Sequence, residues 1–274
     1  MRTVFLPLIL CAFFIACDDD ASSISPPADD PQSSSSSVDL FTRSSSSEEP
    51  IGNVVMATIC RNAGKDECEY GTLKDERDGQ TYKTIKIGDQ EWMAENLKFV
   101  PEKGASGCFK NSLSKNAEHN CINYGRHYSW GAAMDSAAAW STSGKGCGYL
   151  KTCSPTYPVR GICPEGWHLP TKREWNILAA SIGGPEGGAK SLMTTSGWDA
   201  REQGYDYFGF GAVGAGSRDY HGNFKYDSTR AFFWSSTEFD ISYVYIMDLD
   251  YRYEDVYVDL DFKWFWFSVR CVKD

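Results

Sequence analysis

The sequence predicts an α+β domain in which two helices lie among many short antiparallel strands. Three observations support this class. Only two stretches of the 274 residues repeat apolar side chains with helical spacing. Several short runs of β-branched and aromatic residues lie between turns. The ten cysteines are many for a reducing compartment. We therefore expect short antiparallel sheets and several disulfides, not a parallel α/β sheet.

The first predicted element is a β-hairpin. Asp-Gly at 78–79 and Gly-Asp at 88–89 are turn dipeptides, and they bracket a strand-like run over residues 80–87. Residues 91–93, Glu-Trp-Met, follow the second turn and supply the returning strand.

The first predicted helix covers residues 128–140, an alanine-rich stretch. Its larger and apolar side chains Trp130, Ala133, Met134 and Ala137 follow the spacing i, i+3, i+4 and i+7. This spacing places them on one face, so the pattern indicates an amphipathic helix.

The second predicted helix has the clearest local signal in the chain. Thr171 and Glu174 have the spacing of a capping box and stand directly before Trp175. Gly-Gly at 183–184 then ends the apolar pattern. Beyond residue 204, glycine-rich turns alternate with four runs that predict strands: 231–235, 243–249, 256–260 and 262–272.

The amino terminus has the pattern of a secretory signal. A basic start at Arg2 precedes an uncharged apolar run over residues 4–16, and Cys17 follows. This run is shorter than the roughly 20 residues that a membrane-spanning helix needs. Cys17 resembles the lipobox cysteine of bacterial lipoproteins, which implies a lipidated protein after cleavage. We predict a signal peptide over residues 1–17, with ordinary cleavage beside a chance cysteine as the alternative.

Residues 18–50 have the composition of a flexible, disordered tether rich in Ser and Asp. They contain serine tracts, several prolines and few apolar side chains, so they cannot offset the entropy of ordering. The tether carries most of the net charge of −10. An acidic chain does not fit nucleic-acid binding, which needs clustered Lys and Arg. We expect one domain over residues 51–274 and no nucleic-acid partner.

The cysteines beyond the signal peptide are even in number, which favours disulfides in an exported domain. The sequence alone does not choose among the many connectivities. Proximity along the chain suggests the pairs Cys60–Cys68, Cys108–Cys121 and Cys147–Cys153, leaving Cys163–Cys271. Zinc is the competing use, but no Cys-x2-Cys pair occurs and the histidines have no ligand spacing, so we expect no metal.

Five strings stand out in chain order: DGQTY at 78–82, QEWMAENL at 90–97, CPEGWHLPT at 163–171, FWSSTE at 233–238 and FSVRCV at 267–272. Together they resemble the Fibrobacter succinogenes major paralogous domain (FISUMP) family of bacterial surface proteins. The match covers about residues 75–274 and implies a surface location.

The helix start and the Arg-Cys ending are also similar to the C-type-lectin-like fold shared with formylglycine-generating enzymes. That resemblance implies that the two chain ends pair in a small sheet, that two helices flank it and that long irregular loops form the binding surface. Cys163 and Cys271 would then link strands of that sheet.

The resemblance brings no catalytic or lectin chemistry with it. Formylglycine-generating enzymes use a cysteine pair near the carboxyl end, but Trp266 stands where the partner of Cys271 would be. No nucleophile elbow or HExxH motif occurs, and the sugar-binding triplets of calcium-dependent lectins are absent. We therefore predict that the protein is no enzyme and holds no cofactor.

Carboxylates near the carboxyl end could offer oxygen ligands to calcium. Because they alternate with apolar residues, we expect instead that they form the solvated face of two strands. They are Asp248, Asp250, Glu254, Asp255, Asp259 and Asp261.

Aromatic residues are the remaining functional signal. Trp264 and Trp266 lie on the strand face opposite Phe265 and Phe267, and one of these two faces can be exposed. With three nearby tyrosines they would form a flat strip for stacking on polysaccharide rings or gripping a protein. A sheet buried on both faces is the alternative. The tyrosines are Tyr251, Tyr253 and Tyr257.

Taken together, these features predict a bacterial surface module, lipid-anchored at the outer membrane or cell surface. We expect it to bind an extracellular polysaccharide, or an envelope protein partner, in adhesion. A structural envelope protein without a small ligand is the first alternative. An exported enzyme, which needs a pocket of converging carboxylates, is the second.

Overall fold

The computed structural model describes residues 51–62, 64–102, 105–109, 117–184, 188–199 and 203–274. The signal peptide, Cys17 and the tether of the sequence analysis lie outside these residues. Within them, no helix is long and apolar enough to cross a membrane.

Short strands outnumber helices throughout the described ranges. The helices are α1 (Ala117–Tyr124), α2 (Trp130–Ala133), α3 (Lys172–Ser181) and α4 (Ala189–Leu192). The strands are β1 (Arg61–Asn62), β2 (Lys65–Asp66), β3 (Gly71–Lys74), β4 (Thr81–Ile87), β5 (Gln90–Met93), β6 (Ser106–Cys108), β7 (Arg126–Ser129), β8 (Trp167–His168), β9 (Ser217–Arg218), β10 (Phe224–Lys225), β11 (Arg230–Glu238), β12 (Tyr243–Asp250), β13 (Val256–Phe262), β14 (Trp266–Phe267) and β15 (Val272–Lys273).

These strands pair antiparallel in several small sheets. The orders are β1-β2, β3-β4-β5-β15-β8, β10-β9-β14-β7-β6 and β11-β12-β13. The predicted hairpin is confirmed as β4 and β5, joined through the turn at Gly88, which has a positive φ of 61°. Val272 of β15 lies opposite Trp92 of β5, so the beginning and the end of the domain meet in one sheet.

The capping box is confirmed at the start of α3. The backbone N–H of Glu174 donates to Thr171 Oγ1 at 3.2 Å, and the N–H of Thr171 donates to Glu174 Oε2 at 2.8 Å. Each of these bonds satisfies a backbone donor that would otherwise lack a partner near the helix terminus. The helix buries Trp175 against Trp92, with ring centroids 4.6 Å apart.

The predicted helix over residues 128–140 is wrong for most of its length. Only Trp130–Ala133 is helical, and Tyr128 belongs to β7. The carboxylate of Asp135 accepts hydrogen bonds from the backbone N–H groups of Ala139, Trp140 and Ser141. These donors would pair with backbone carbonyls in a continued helix, so the acidic side chain folds the segment into a loop instead.

The run over residues 262–272 is also not one strand. The chain leaves β13 at Lys263, forms β14 in the second five-stranded sheet and then β15 in the first. The break follows from the buried Lys263, whose ammonium group binds Glu238 Oε2 at 2.5 Å and the carbonyl oxygen of Asp240. The predictions for β11, β12 and β13 are confirmed, but α1 and α4 had no prediction.

Four disulfides link the domain, and they are the four pairs that proximity along the chain suggests: Cys60–Cys68, Cys108–Cys121, Cys147–Cys153 and Cys163–Cys271. The last spans 108 residues of sequence. Cys163 precedes β8 and Cys271 precedes β15, and these two strands pair directly. The bond therefore connects the middle of the chain to its end within one sheet.

Removal of the imidazole of His168 is expected to destabilise the protein by about 1 kcal/mol near pH 6 and by less above pH 8. His168 Nδ1 lies 2.7 Å from Asp274 Oδ1, and Nε2 lies 2.7 Å from Glu174 Oε1. Burial alone would lower the pKa of His168, but the two carboxylates outweigh it and raise the pKa above 6.5. The stabilisation is thus complete below the unfolded pKa and is lost as pH rises through the folded pKa.

Urea unfolding of wild type and His168→Gln at pH 6 and pH 8.5 measures this difference. The exposed His221 supplies the matched control, His221→Gln, for which we expect the same small effect at both values. A His168→Gln deficit that grows with pH would contradict the assignment.

Candidate functional site

A groove of about 970 Å³ opens beside the three-stranded sheet. One wall is the face of β12 and β13 that carries Asp248, Tyr257 and Asp259. The other wall comes from the β9–β10 hairpin and its turn, including Tyr220, and the floor comes from the segment that contains Trp264. Elements far apart in sequence therefore form a single concavity.

The register of β12 and β13 explains which side chains reach the groove. Asp248 pairs with Tyr257 and Ile246 pairs with Asp259, so these residues share one face of the sheet. Residues on the opposite face, including Met247 and Val258, pack in the apolar core. The alternation seen in the sequence thus separates a core face from a groove face.

Two of the groove carboxylates are buried, so the expectation of a fully solvated acidic face is wrong for them. Asp248 is 4% exposed and Asp250 is 2% exposed. Arg230 contacts Asp248, with Nε 3.2 Å from Oδ1, and Arg252 Nη2 lies 2.6 Å from Asp250 Oδ2. Burial raises the pKa of Asp248 against the opposing charge of Arg230. Burial would likewise raise the pKa of Asp250, but Arg252 lowers it overall.

The other two acidic residues on this face have no cation within ion-pair distance among the described residues. Asp259 accepts a hydrogen bond from the N–H of Leu260, and Asp261 accepts one from the N–H of Phe262. Burial raises the pKa of Asp261 to about 6. Lys225 Nζ lies 3.4 Å from Asp219 Oδ2, and Arg230 and Arg252 pair with Asp248 and Asp250. These cations are therefore matched by other carboxylates, and Asp259 and Asp261 leave the described lining with an excess of negative charge.

Stacked aromatic rings form the floor and one end of the groove. Trp264 stacks on Phe262 with ring centroids 3.9 Å apart and planes at 10°, and Tyr149 meets Trp264 edge-on at 5.2 Å. Tyr220, which is 68% exposed, also contacts Trp264, with ring centroids 6.0 Å apart. Neighbouring rings hold Trp264 in place, and its ring remains partly exposed.

The structure separates the five aromatic candidates of the sequence analysis. Trp264, Tyr253 and Tyr257 line the groove. Trp266 is half-buried in a sheet, and Cζ of the Arg218 guanidinium lies 4.0 Å from its ring centroid. Tyr251 packs against the apolar core.

Sequence reasoning missed other residues of the groove. Tyr220 and His221 precede a glycine in a turn, and exposed aromatic residues in such a turn are the signal that could have found them. Arg230 had no local signal, because its role depends on Asp248 in the neighbouring strand. The described residues bring together no group of three or more His, Cys, Asp or Glu side chains that could hold a metal ion.

The disulfides and the groove define a class of protein: a mixed α and β domain of an extracytoplasmic compartment, with an aromatic and acidic groove on its surface. The chain belongs to the Fibrobacter succinogenes major domain family, whose sequence model matches residues 85–273. No curated protein and no solved structure shows significant similarity to it.

Proposed function

We propose that this protein is a surface binding module whose groove holds a polysaccharide chain. The observation that carries the proposal is the aromatic stack of Phe262 and Trp264 next to hydrogen-bonding side chains. A sugar ring has an apolar C–H face that stacks on an aromatic ring, and its hydroxyl groups bond to carboxylates and guanidinium groups at the edge. The groove offers both kinds of contact along one concave surface.

The charge of the groove favours a class of glycan. Asp259 and Asp261 add negative charge that no groove cation neutralises among the described residues. Bringing a uronate carboxylate beside them would cost electrostatic free energy in a partly desolvated site. The groove is therefore expected to prefer neutral or amino-substituted glycans to acidic ones.

Replacing Trp264 by alanine is expected to weaken polysaccharide binding at least tenfold, about 1.4 kcal/mol, because the ligand loses its stacking surface. Tyr220→Ala, at the more exposed ring, should act in the same direction. Retention of the full chain in detergent on insoluble cellulose, chitin, chitosan and cross-linked polygalacturonate measures the effect.

The matched control for these variants is Phe239→Ala, because Phe239 is an exposed aromatic residue that does not line the groove. Equal loss in this control would mean that general hydrophobicity caused retention. Retention on no glycan together with capture of an envelope protein would favour the protein partner. Capture of neither ligand would favour the purely structural role, and release of sugar products would reveal an enzyme.

We also propose that a lipid anchor at Cys17 holds the domain at the membrane, with residues 18–50 as the spacer. The pairing of the two chain ends in one sheet supports kinship with the C-type-lectin-like fold. Cys17→Ala is expected to move the protein from the membrane fraction to the soluble exported fraction, because the acyl chains are lost. Fractionation checks this, and an unchanged membrane fraction would refute the anchor.

A further inference from the structure

A second surface cavity lies on residues that the groove does not use. This cavity, the Tyr205 cleft, has a volume of about 460 Å³. Asn62, Lys65 and Asp66 of the β1–β2 hairpin line one side, and Tyr205 and Tyr207 line the other. The cleft and the groove have no lining residue in common.

The two tyrosines form a stacked platform. Their ring centroids lie 5.0 Å apart with planes at 14°. Tyr207 packs against the apolar core, whereas Tyr205 is 49% exposed. The inner ring therefore supports the outer one, whose remaining surface faces the cleft.

The backbone beneath the platform is held firmly on both sides. The N–H groups of Cys60 and Arg61 donate to the carbonyl oxygen of Tyr207 at 2.8 and 3.0 Å. The N–H of Tyr205 donates to the carbonyl oxygen of Lys190 at 2.7 Å. Asp206, between the two tyrosines, is 2% exposed, contacts Arg61 and accepts from the N–H of Gly211 at 2.8 Å.

The rigid anchorage of the platform favours ligand binding. The Cys60–Cys68 disulfide closes the hairpin segment that carries the opposite side of the cleft. A platform fixed in this way loses little conformational entropy when a ligand stacks on it, so more of the contact energy is available as affinity.

The polar groups around the platform point to the class of ligand. Lys65 donates, Asn62 and Thr195 both donate and accept, and Asp66, which already pairs with Arg61 Nη2 at 2.6 Å, accepts; all four line the cleft with the half-exposed ring. A pyranose presents an apolar face bordered by hydroxyl groups, which matches an aromatic ring bordered by donors and acceptors. A protein partner would instead be expected to meet a broader apolar patch.

We propose that the Tyr205 cleft is a second saccharide-binding site, so that the domain can hold one polysaccharide at two points. The choice of polysaccharide rests on the function proposed for the groove, but binding at the cleft does not. Two linked sites raise the apparent affinity for a long chain above that of either site, because the second contact becomes intramolecular. Short oligosaccharides gain nothing from this linkage.

Calorimetric titration of the full chain in detergent with chitotetraose and with cellotetraose tests the proposal. The expected result is two tetrasaccharides per wild-type chain, one per Tyr205→Ala chain and one per Tyr220→Ala chain. Tyr205→Phe, which keeps the ring, should retain two. On soluble hydroxyethyl cellulose or chitosan, Tyr205→Ala should weaken binding at least tenfold.

Two tetrasaccharides on both wild type and Tyr205→Ala would overturn the assignment of the second site to the cleft. One tetrasaccharide in both wild type and Tyr205→Ala overturns the second site and leaves the groove proposal standing. One in wild type and none in Tyr205→Ala assigns the saccharide to the cleft and overturns the groove. Absence of binding to both sugars overturns both sites, and capture of an envelope protein that Tyr205→Ala abolishes would then make the cleft a protein-docking surface.

Discussion

Replacing Arg270 by methionine is expected to lower the free energy of unfolding by about 3–5 kcal/mol. The side chain is fully buried, and its guanidinium donates to Asn96 Oδ1 at 2.7 Å. It also donates to the carbonyl oxygens of Met93, Phe210 and Gly211, at 3.0, 2.5 and 2.7 Å. One side chain thus satisfies four acceptors from two separated parts of the chain, residues 93–96 and 210–211.

The size of the effect follows from what the variant leaves behind. Methionine fills part of the volume but donates no hydrogen bond, so four buried oxygens lose a donor, and each unsatisfied acceptor costs roughly 1–3 kcal/mol before relaxation. Burial lowers the pKa of Arg270, and the charges of Asp206 and Glu95 oppose this only in part, so the charge is held at a net desolvation cost.

Urea or guanidinium unfolding, followed by tryptophan fluorescence, measures this loss. Arg252→Met is the matched control, because Arg252 is exposed and pairs with a single carboxylate, Asp250. A much smaller loss is expected there, because an ion pair of an exposed side chain contributes little to stability. If Arg270→Met matched that control, the four hydrogen bonds of Arg270 would contribute little to stability.

Removing the Cys163–Cys271 disulfide by a double serine substitution is expected to cost about 4–5 kcal/mol in the chain-entropy description. The bond spans 108 residues of sequence, and both sulfurs are buried where β8 and β15 pair. Without it, the unfolded chain gains the conformational freedom of a long loop. The sheet that joins the chain ends would then depend on backbone pairing and core packing alone.

A second disulfide provides the comparison for this variant. Cys147–Cys153 spans six residues, so the same description gives a loss of about 2 kcal/mol when its two cysteines become serine. Unfolding free energies of wild type and both double variants, measured under identical conditions, give the two losses and their ratio. An equal or larger loss for the short loop would contradict a stabilisation set by loop length.

Elements with complete local signals were predictable from the sequence. The hairpin at 81–93 has both turns and both strands within a few residues, and Thr171 and Glu174 contain the whole capping box. The early end of the helix predicted at 128–140 was not predictable from periodicity, because the N–H of Ile162 donates to the carbonyl of Ala133 and Asp135 caps the following loop. A distant segment thus ends the helix that the apolar spacing favours.

The sequence by itself determined the pairing preference of the cysteines, the helix start at Thr171 and the family, because each depends on residue types at short or fixed spacing. Only the tertiary structure decided which carboxylates are buried and which aromatic rings face a cavity. Asp248 and Asp259 occupy equivalent alternating positions, yet only Asp248 lies beneath Arg230 in the central strand. Exposure depends on what covers a strand, and the residues that cover β12 and β13 come from elsewhere in the chain.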